Sequence, residues 1–172
     1  LYAGAGPYDP AATYDYCVSL DTMGIPAAIP LIVMGLSDAY DLEFELEDFF
    51  LEPLLSNYEQ WIGSKELTVG DINHRMGSVV MSQLMTAESL DRNLPLAKML
   101  YEALSWNSNI GYDLQSPAYF LHSLEDEVVP IINSRRLAAA MPNDRDITYD
   151  FGEYGSHMAA SIPFMQYLYQ DL

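Results

Sequence analysis

Towards its end, the chain places apolar residues in short unbroken runs separated by stretches of helical pattern. Ala118-Tyr119-Phe120-Leu121 is such a run, the signature of a strand buried on both faces. Asn133 to Ala140 reads as a helix that should stop before Pro142, because the residue preceding proline avoids the α region. Ile147-Thr148-Tyr149-Asp150-Phe151 is β-branched and aromatic and reads as a strand. Pro163 suits a first helical position, so Pro163 to Gln170 reads as a terminal helix. At the other end, Leu1 to Ala5 reads as the tail of a core strand, punctuated by Gly6-Pro7-Tyr8-Asp9. Strands alternating with helices imply a parallel sheet with right-handed crossovers. The expected core is α/β: three parallel strands near residues 1–5, 117–122 and 146–151, with flanking helices.

The middle of the chain, residues 11–111, has a different rhythm. Leu96, Met99, Leu100, Ala103 and Leu104 repeat at helical spacing, and Pro95 is placed to open that helix. Val79, Val80, Leu84 and Met85 suggest a second apolar helix face. Asp41 to Asp48 alternates acidic and apolar residues, which puts the acids on one face of an extended segment. That is a solvated edge rather than a cation site, which needs carboxylates converging from several directions. His74-Arg75 reads as part of a surface helix without chemistry. A mostly helical stretch of this length exceeds what a crossover between parallel strands needs. Residues 11–111 are therefore expected to be a cap inserted into a single domain spanning 1–172. No fixed-period repeat is present, which excludes a solenoid.

Composition narrows the function classes. Half of the residues are hydrophobic and 19% are charged, which excludes a disordered chain. Seven basic residues against 25 acidic ones give a formal charge of −18. Such a surface repels phosphate backbones and anionic headgroups, so nucleic acid and electrostatic membrane docking are excluded as partners; the acidity itself serves solubility. Cys17 is the one cysteine, so no internal disulfide can form. The longest apolar stretch, Ile25 to Leu36, is broken by Pro26 and Pro30 and is shorter than the roughly 20 residues of a membrane span. With Leu1 at the start and no signal-peptide pattern, the true N-terminus is expected to lie upstream.

Two loops carry the chemistry. Asp126 should sit just past the C-terminal end of one buried strand, and His157 past the end of the next. Catalytic groups collect at that edge of open α/β sheets. An acid that orients an imidazole, and an imidazole free to reach a serine, are two thirds of an acyl-transfer triad. Their order along the chain, acid then histidine, suits this architecture. An Asp after a strand is also a common turn former, so the assignment rests on the pair.

The run His122 to Pro130 resembles the acid loop of α/β-hydrolases, which commonly reads His-Gly-x-x-Asp-x-x-Val-Pro; Ser123 stands where the glycine usually is. Gly155-Ser156-His157 resembles the histidine loop of the same family. Gly4 to Asp9 is similar to the segment after the nucleophile helix in bacterial secreted lipase-like and esterase-like members. The resemblance implies a partial α/β-hydrolase fold, the C-terminal part of an enzyme that cleaves carboxylic esters through an acyl-serine. Asp126 and His157 are the implied catalytic residues and His122 a structural support; Glu125, adjacent to Asp126, is the alternative acid. No metal or organic cofactor is implied. The implied partners are an ester or lipid substrate and the missing N-terminal part of the protein or a second copy, and the implied location is secreted or periplasmic.

A nucleophile is harder to place. Gly35-Leu36-Ser37-Asp38-Ala39 approximates Gly-x-Ser-x-Gly and precedes Asp126 and His157 in the right order. Yet Pro26 and Pro30 fit a central strand poorly, whereas Pro30 opens a helix naturally. Ser37 is therefore expected in a cap helix, the nucleophile upstream, and the chain alone inactive. Thirteen Tyr, nine Met and six Phe would suit an apolar acyl pocket as well as a plain core. The alternatives are a peptidase of the same fold and a non-catalytic binding module or inactive fragment.

Overall fold

A computed structural model describes residues 1–141 and 146–171. The chain forms two compact units: residues 1–14 with 107–172, and residues 15–106. The first unit holds a three-stranded, wholly parallel sheet in the order β1-β2-β3, with β1 at Tyr2–Gly4, β2 at Ala118–Ser123 and β3 at Ile147–Gly152. Tyr2 aligns with Tyr119, and Ser123 with Gly152 at the far end. All three strands lie within a residue or two of the apolar runs that predict them.

β2 is buried at all six positions because both of its faces are covered. Ala118 and Phe120 pack on one side with Leu137 and Met141, and with Tyr8, Ile147 and Tyr149 around them. Tyr119 and Leu121 face the other way, onto Ala160, Tyr2, Tyr154 and Phe164. The alternation is the ordinary two-residue period of a strand, and each apolar side chain so buried contributes about 1.5–3 kcal/mol.

The helices fall in chain order as α1 (Pro10–Leu20), α2 (Ala28–Tyr40), α3 (Leu46–Phe49), α4 (Leu54–Tyr58), α5 (Val69–Met76), α6 (Ala87–Leu90), α7 (Pro95–Trp106), α8 (Ile132–Ala140) and α9 (Ser161–Asp171), with a π-helical turn at Glu59–Gly63 and a 3₁₀ turn at Met81–Gln83. α8 closes the β2-to-β3 connection; Pro142, expected to stop it, lies outside the described residues. α9 begins at Ser161, two residues ahead of Pro163, which takes the third helical position.

α1 starts on a built cap. The buried Asp9 carboxylate accepts from the Ala12 N–H at 3.1 Å and pairs with Arg136 Nε at 2.9 Å. The Asp9 N–H donates to Asn133 Oδ1 at 2.9 Å. Asn133 Nδ2 donates in turn to Thr13 Oγ1 and to the Pro130 carbonyl. This network ties the segment after β1 to the start of α8.

The second unit contains no named strand among its described residues. α7 opens at Pro95 and buries Ala97, Leu100, Tyr101, Ala103 and Leu104, while Leu96 and Met99 of the anticipated stripe are half-buried. His74 and Arg75 are exposed in the last turn of α5, as expected.

Two expectations for this unit are corrected. Val79 to Met85 is not an amphipathic helix. Gly77, in the left-handed region at φ +69, ends α5, and the backbone that follows is claimed by distant partners: Val79 accepts from Met23, Leu84 accepts from Leu51, and Met85 bridges antiparallel to Phe50. Tertiary pairing overrides the periodicity. Asp41 to Asp48 is not extended throughout either. Its acids are exposed, but Leu46–Phe49 is a helical turn closed by a capping box in which Glu45 and Asp48 satisfy each other's backbone N–H groups. The alternating pattern hid a helix start.

Candidate active site

Asp126 and His157 meet at the C-terminal edge of the sheet. β2 ends at Ser123 and β3 at Gly152. The register aligns those two ends, so the loops that follow leave the sheet side by side. The acid loop turns at once, with the Asp126 N–H directed to the Ser123 carbonyl at 3.4 Å. The histidine loop turns at Gly155, whose φ of +77 is a conformation glycine adopts freely.

His157 Nδ1 lies 2.7 Å from Asp126 Oδ2. The Asp126 side chain is fully buried, and that of His157 is 31% exposed. Each carboxylate oxygen has its own set of donors. Oδ1 accepts from the Val128 and Val129 N–H groups at 2.9 and 2.8 Å. Oδ2 takes His157 and, at 3.4 Å, His122 Nε2. Burial alone would raise the Asp126 carboxyl; the two imidazoles and the Val129 and Val128 amides outweigh it and hold the group at about 2. Asp126 is therefore an anion throughout the neutral range. It accepts the Nδ1 proton of His157, which leaves Nε2 as the lone-pair nitrogen.

His122 is wholly buried within the same loop. Nε2 faces the Val129 carbonyl at 2.8 Å, so that nitrogen carries a proton, and Nδ1 meets Ser134 Oγ at 2.6 Å. It ties the loop to itself and to α8. Glu125 does not touch the imidazole: its Oε2 accepts the Gly155 N–H at 2.9 Å. Ser37 sits inside α2, where its hydroxyl donates to the Leu42 carbonyl at 3.1 Å. Ile29 to Met34 is helix, so Gly35 to Ala39 is not a strand-to-helix elbow.

Three further residues shape the site without a sequence signal of their own. Ser123 Oγ donates to the Gly155 carbonyl at 2.6 Å and accepts from the Glu125 and Tyr154 N–H groups. Glu127 Oε2 accepts the His157 N–H at 3.0 Å. Asp150 accepts from Tyr119 at 2.6 Å and from the hydroxyl of Tyr154, the residue that leads into the histidine loop. Burial and the Asp150 carboxylate together push the Tyr119 phenol above its ordinary value.

A cavity of about 190 Å³ adjoins the histidine, lined by His157, Met158 and Phe164 with Gly4 and Ala5 at the end of β1 and Leu121 within β2. Among the described residues, no group of three or more His, Cys, Asp and Glu side chains is placed to hold a metal ion. Nor is any helix among them long and apolar enough to cross a membrane.

Solved structures share this architecture. An esterase from Xanthomonas oryzae, LipA, described as degrading rice cell walls, matches at a TM-score of 0.72 and 16% identity, over 96% of this chain and 47% of its own. A Legionella pneumophila protein provisionally named a hydrolase matches at 0.75 and 14%, over 96% and 45%. The chain therefore spans about half the length of the structures it matches. At these identities the likeness is one of fold: parallel strands with flanking helices, the arrangement of those hydrolase structures. No family model matches the sequence, and no curated protein matches it either.

Proposed function

We propose that this chain supplies the acid and the base of a serine-type hydrolase acting on carboxylic esters. The reading rests on one observation. A buried carboxylate that is anionic at neutral pH holds Nδ1 of His157 at 2.7 Å, and a small cavity opens beside the ring.

In the reaction, His157 Nε2 takes the proton of a serine hydroxyl as the oxygen attacks the ester carbonyl. The imidazolium then gives that proton to the departing alkoxide, and the acyl group stays on the serine. Water, deprotonated by the same nitrogen, attacks the acyl-serine; the imidazolium returns that proton to the serine oxygen as the acyl–oxygen bond breaks and the acid leaves. Asp126 holds the ring in the productive tautomer and offsets the charge that develops on it. On this reading the serine and its oxyanion donors come from the rest of the whole protein, and the helical position of Ser37 supports that. The mostly helical stretch between β1 and β2 is read as the cap insertion expected from the sequence. Similarity to an esterase favours an ester substrate over a peptide, and a secreted or periplasmic location accompanies that reading.

The test is hydrolysis of a short-chain nitrophenyl ester. Residues 1–172 alone should show no turnover. The whole protein should hydrolyse the ester, and His157→Ala in it should remove at least about 10³-fold of kcat. Whole protein without activity, or an active His157→Ala variant, would overturn the assignment and favour a non-catalytic module. Activity in the 172-residue chain that Ser37→Ala abolishes would instead make Ser37 the nucleophile.

A further inference from the structure

Three consecutive carboxylates reach one three-residue loop. Glu125 takes the N–H of Gly155, Asp126 the imidazole of His157, and Glu127 the N–H of His157. In an extended segment, successive side chains point to opposite sides, so three in a row cannot converge. Here the tight turn after β2 bends the backbone around the histidine loop, and all three converge on it. Ser123 completes the lacing from below, donating to the Gly155 carbonyl at 2.6 Å.

The arrangement carries an electrostatic cost, modest because Glu125 and Glu127 are exposed. Adjacent like charges repel, the chain already carries −18, and among the described residues none of the three pairs with a lysine or arginine. The compensating donors come from the histidine loop. That loop needs holding. Residues 153–156 have no regular structure, Gly155 is conformationally free, and His157 is partly exposed. Acid–base catalysis, in contrast, tolerates displacements of only about 0.5 Å.

We propose that Glu127, supported by Glu125 and Ser123, is a positioning residue for His157. These side chains fix the backbone of residues 155–157 against the acid loop, so that the ring stays on Asp126 while Nε2 gains and loses its proton. Glu127 touches no reacting atom; it acts through the histidine backbone. The groups facing His157 from the acid loop are Asp126, Glu127 and Glu125, with His122 behind Asp126, whereas the strand ends and the start of α9 present apolar or uncharged residues. This inference rests on the catalytic reading of His157 and adds to it what keeps that histidine in place.

The test joins a spectroscopic arm to a kinetic one. The chain has three histidines, so imidazole ¹⁵N-labelled protein gives a simple spectrum, and His157→Ala identifies the downfield Nδ1–H proton that bridges to Asp126. Glu127→Ala should broaden or remove that resonance in the 172-residue chain. In the whole protein it should lower kcat by about 10- to 100-fold, with KM within about twofold and Tm within a few degrees. Glu127→Gln retains an oxygen acceptor for the N–H and should recover most of the loss. Glu127→Ala with an undiminished resonance overturns the proposal whatever the rate does. So does a Glu127→Gln variant as impaired as the alanine. Should His157→Ala prove fully active, the catalytic reading falls, while the resonance in Glu127→Ala still decides the clamp.

Discussion

Replacing Asp126 by Asn probes the site without a substrate. The carboxylate is buried and presents only acceptors, with two amides on Oδ1 and two imidazoles near Oδ2. An asparagine has one oxygen and one NH₂. Whichever way the amide turns, the NH₂ meets donors, and at least one buried N–H loses its partner at a cost of about 1–3 kcal/mol. The charge adds its own part. Asp126 falls from an ordinary 3.8 to about 2 on folding, worth about 2 kcal/mol. Because the folded value is the lower one, the unfolded chain binds more protons between those limits. The contribution is complete above roughly pH 4.5 and disappears as pH falls through about 2.

Asp126→Asn should therefore destabilise the protein by about 3–5 kcal/mol at pH 7. The gap to wild type should narrow by more than 1 kcal/mol between about pH 4.5 and pH 2.5, since wild type alone loses the charge term. Urea unfolding followed by circular dichroism at a series of pH values measures both quantities. Comparing the two proteins at each pH removes the titration of the other carboxylates. A difference below about 1 kcal/mol at pH 7, or one that is constant with pH, would refute the geometry and the charge state assigned to the carboxylate.

Ser37→Ala should leave ester hydrolysis by the whole protein within about twofold of wild type and change stability by less than about 1.5 kcal/mol, since the side chain makes one hydrogen bond to Leu42; a large loss of rate in the nitrophenyl-ester assay would count against the helix. Gly155→Ala should cost about 1–2 kcal/mol in urea unfolding and lower kcat, because the position holds φ +77 and an added Cβ would stand 3.3 Å from Ala159 Cβ; an unaffected variant would show that the histidine loop does not need that turn.

How much of this was legible in the sequence depends on how local the determining physics is. β2 announces itself because burial on both faces demands an unbroken apolar run, β3 because its residues are β-branched and aromatic, and Asp126 and His157 because each follows one of these strands closely. The helix of Ser37 was readable from Pro30. Val79 to Met85 was not: its side chains repeat at helical spacing, but its backbone hydrogen bonds go to residues 23, 50 and 51, which no local pattern names. Leu46 to Phe49 was misread for the opposite reason. Its capping box is local, yet acidic residues at Glu45 and Asp48 satisfy both an alternating pattern and a helix start. The roles of Ser123 and Glu127 depend on a loop about 30 residues away, and a serine or glutamate in a turn carries no mark of such a partner.

The contacts of His122 show which part of the site sets the other. Its ring is held by the Val129 carbonyl and Ser134, and its Nε2 lies 3.4 Å from Asp126 Oδ2, while the Val128 and Val129 amides take Oδ1. With both oxygens engaged inside its own loop, the carboxylate cannot rotate to follow a moving imidazole. Every one of those restraints comes from residues 122–134, anchored to the fully buried β2 and to the start of α8. His157, by contrast, has its ring held by Asp126 and its backbone by Glu127. Position is thus passed in one direction, from strand to acid loop to carboxylate to imidazole. Loosening the acid loop should displace the histidine, whereas removing the histidine ring should leave the carboxylate where it is.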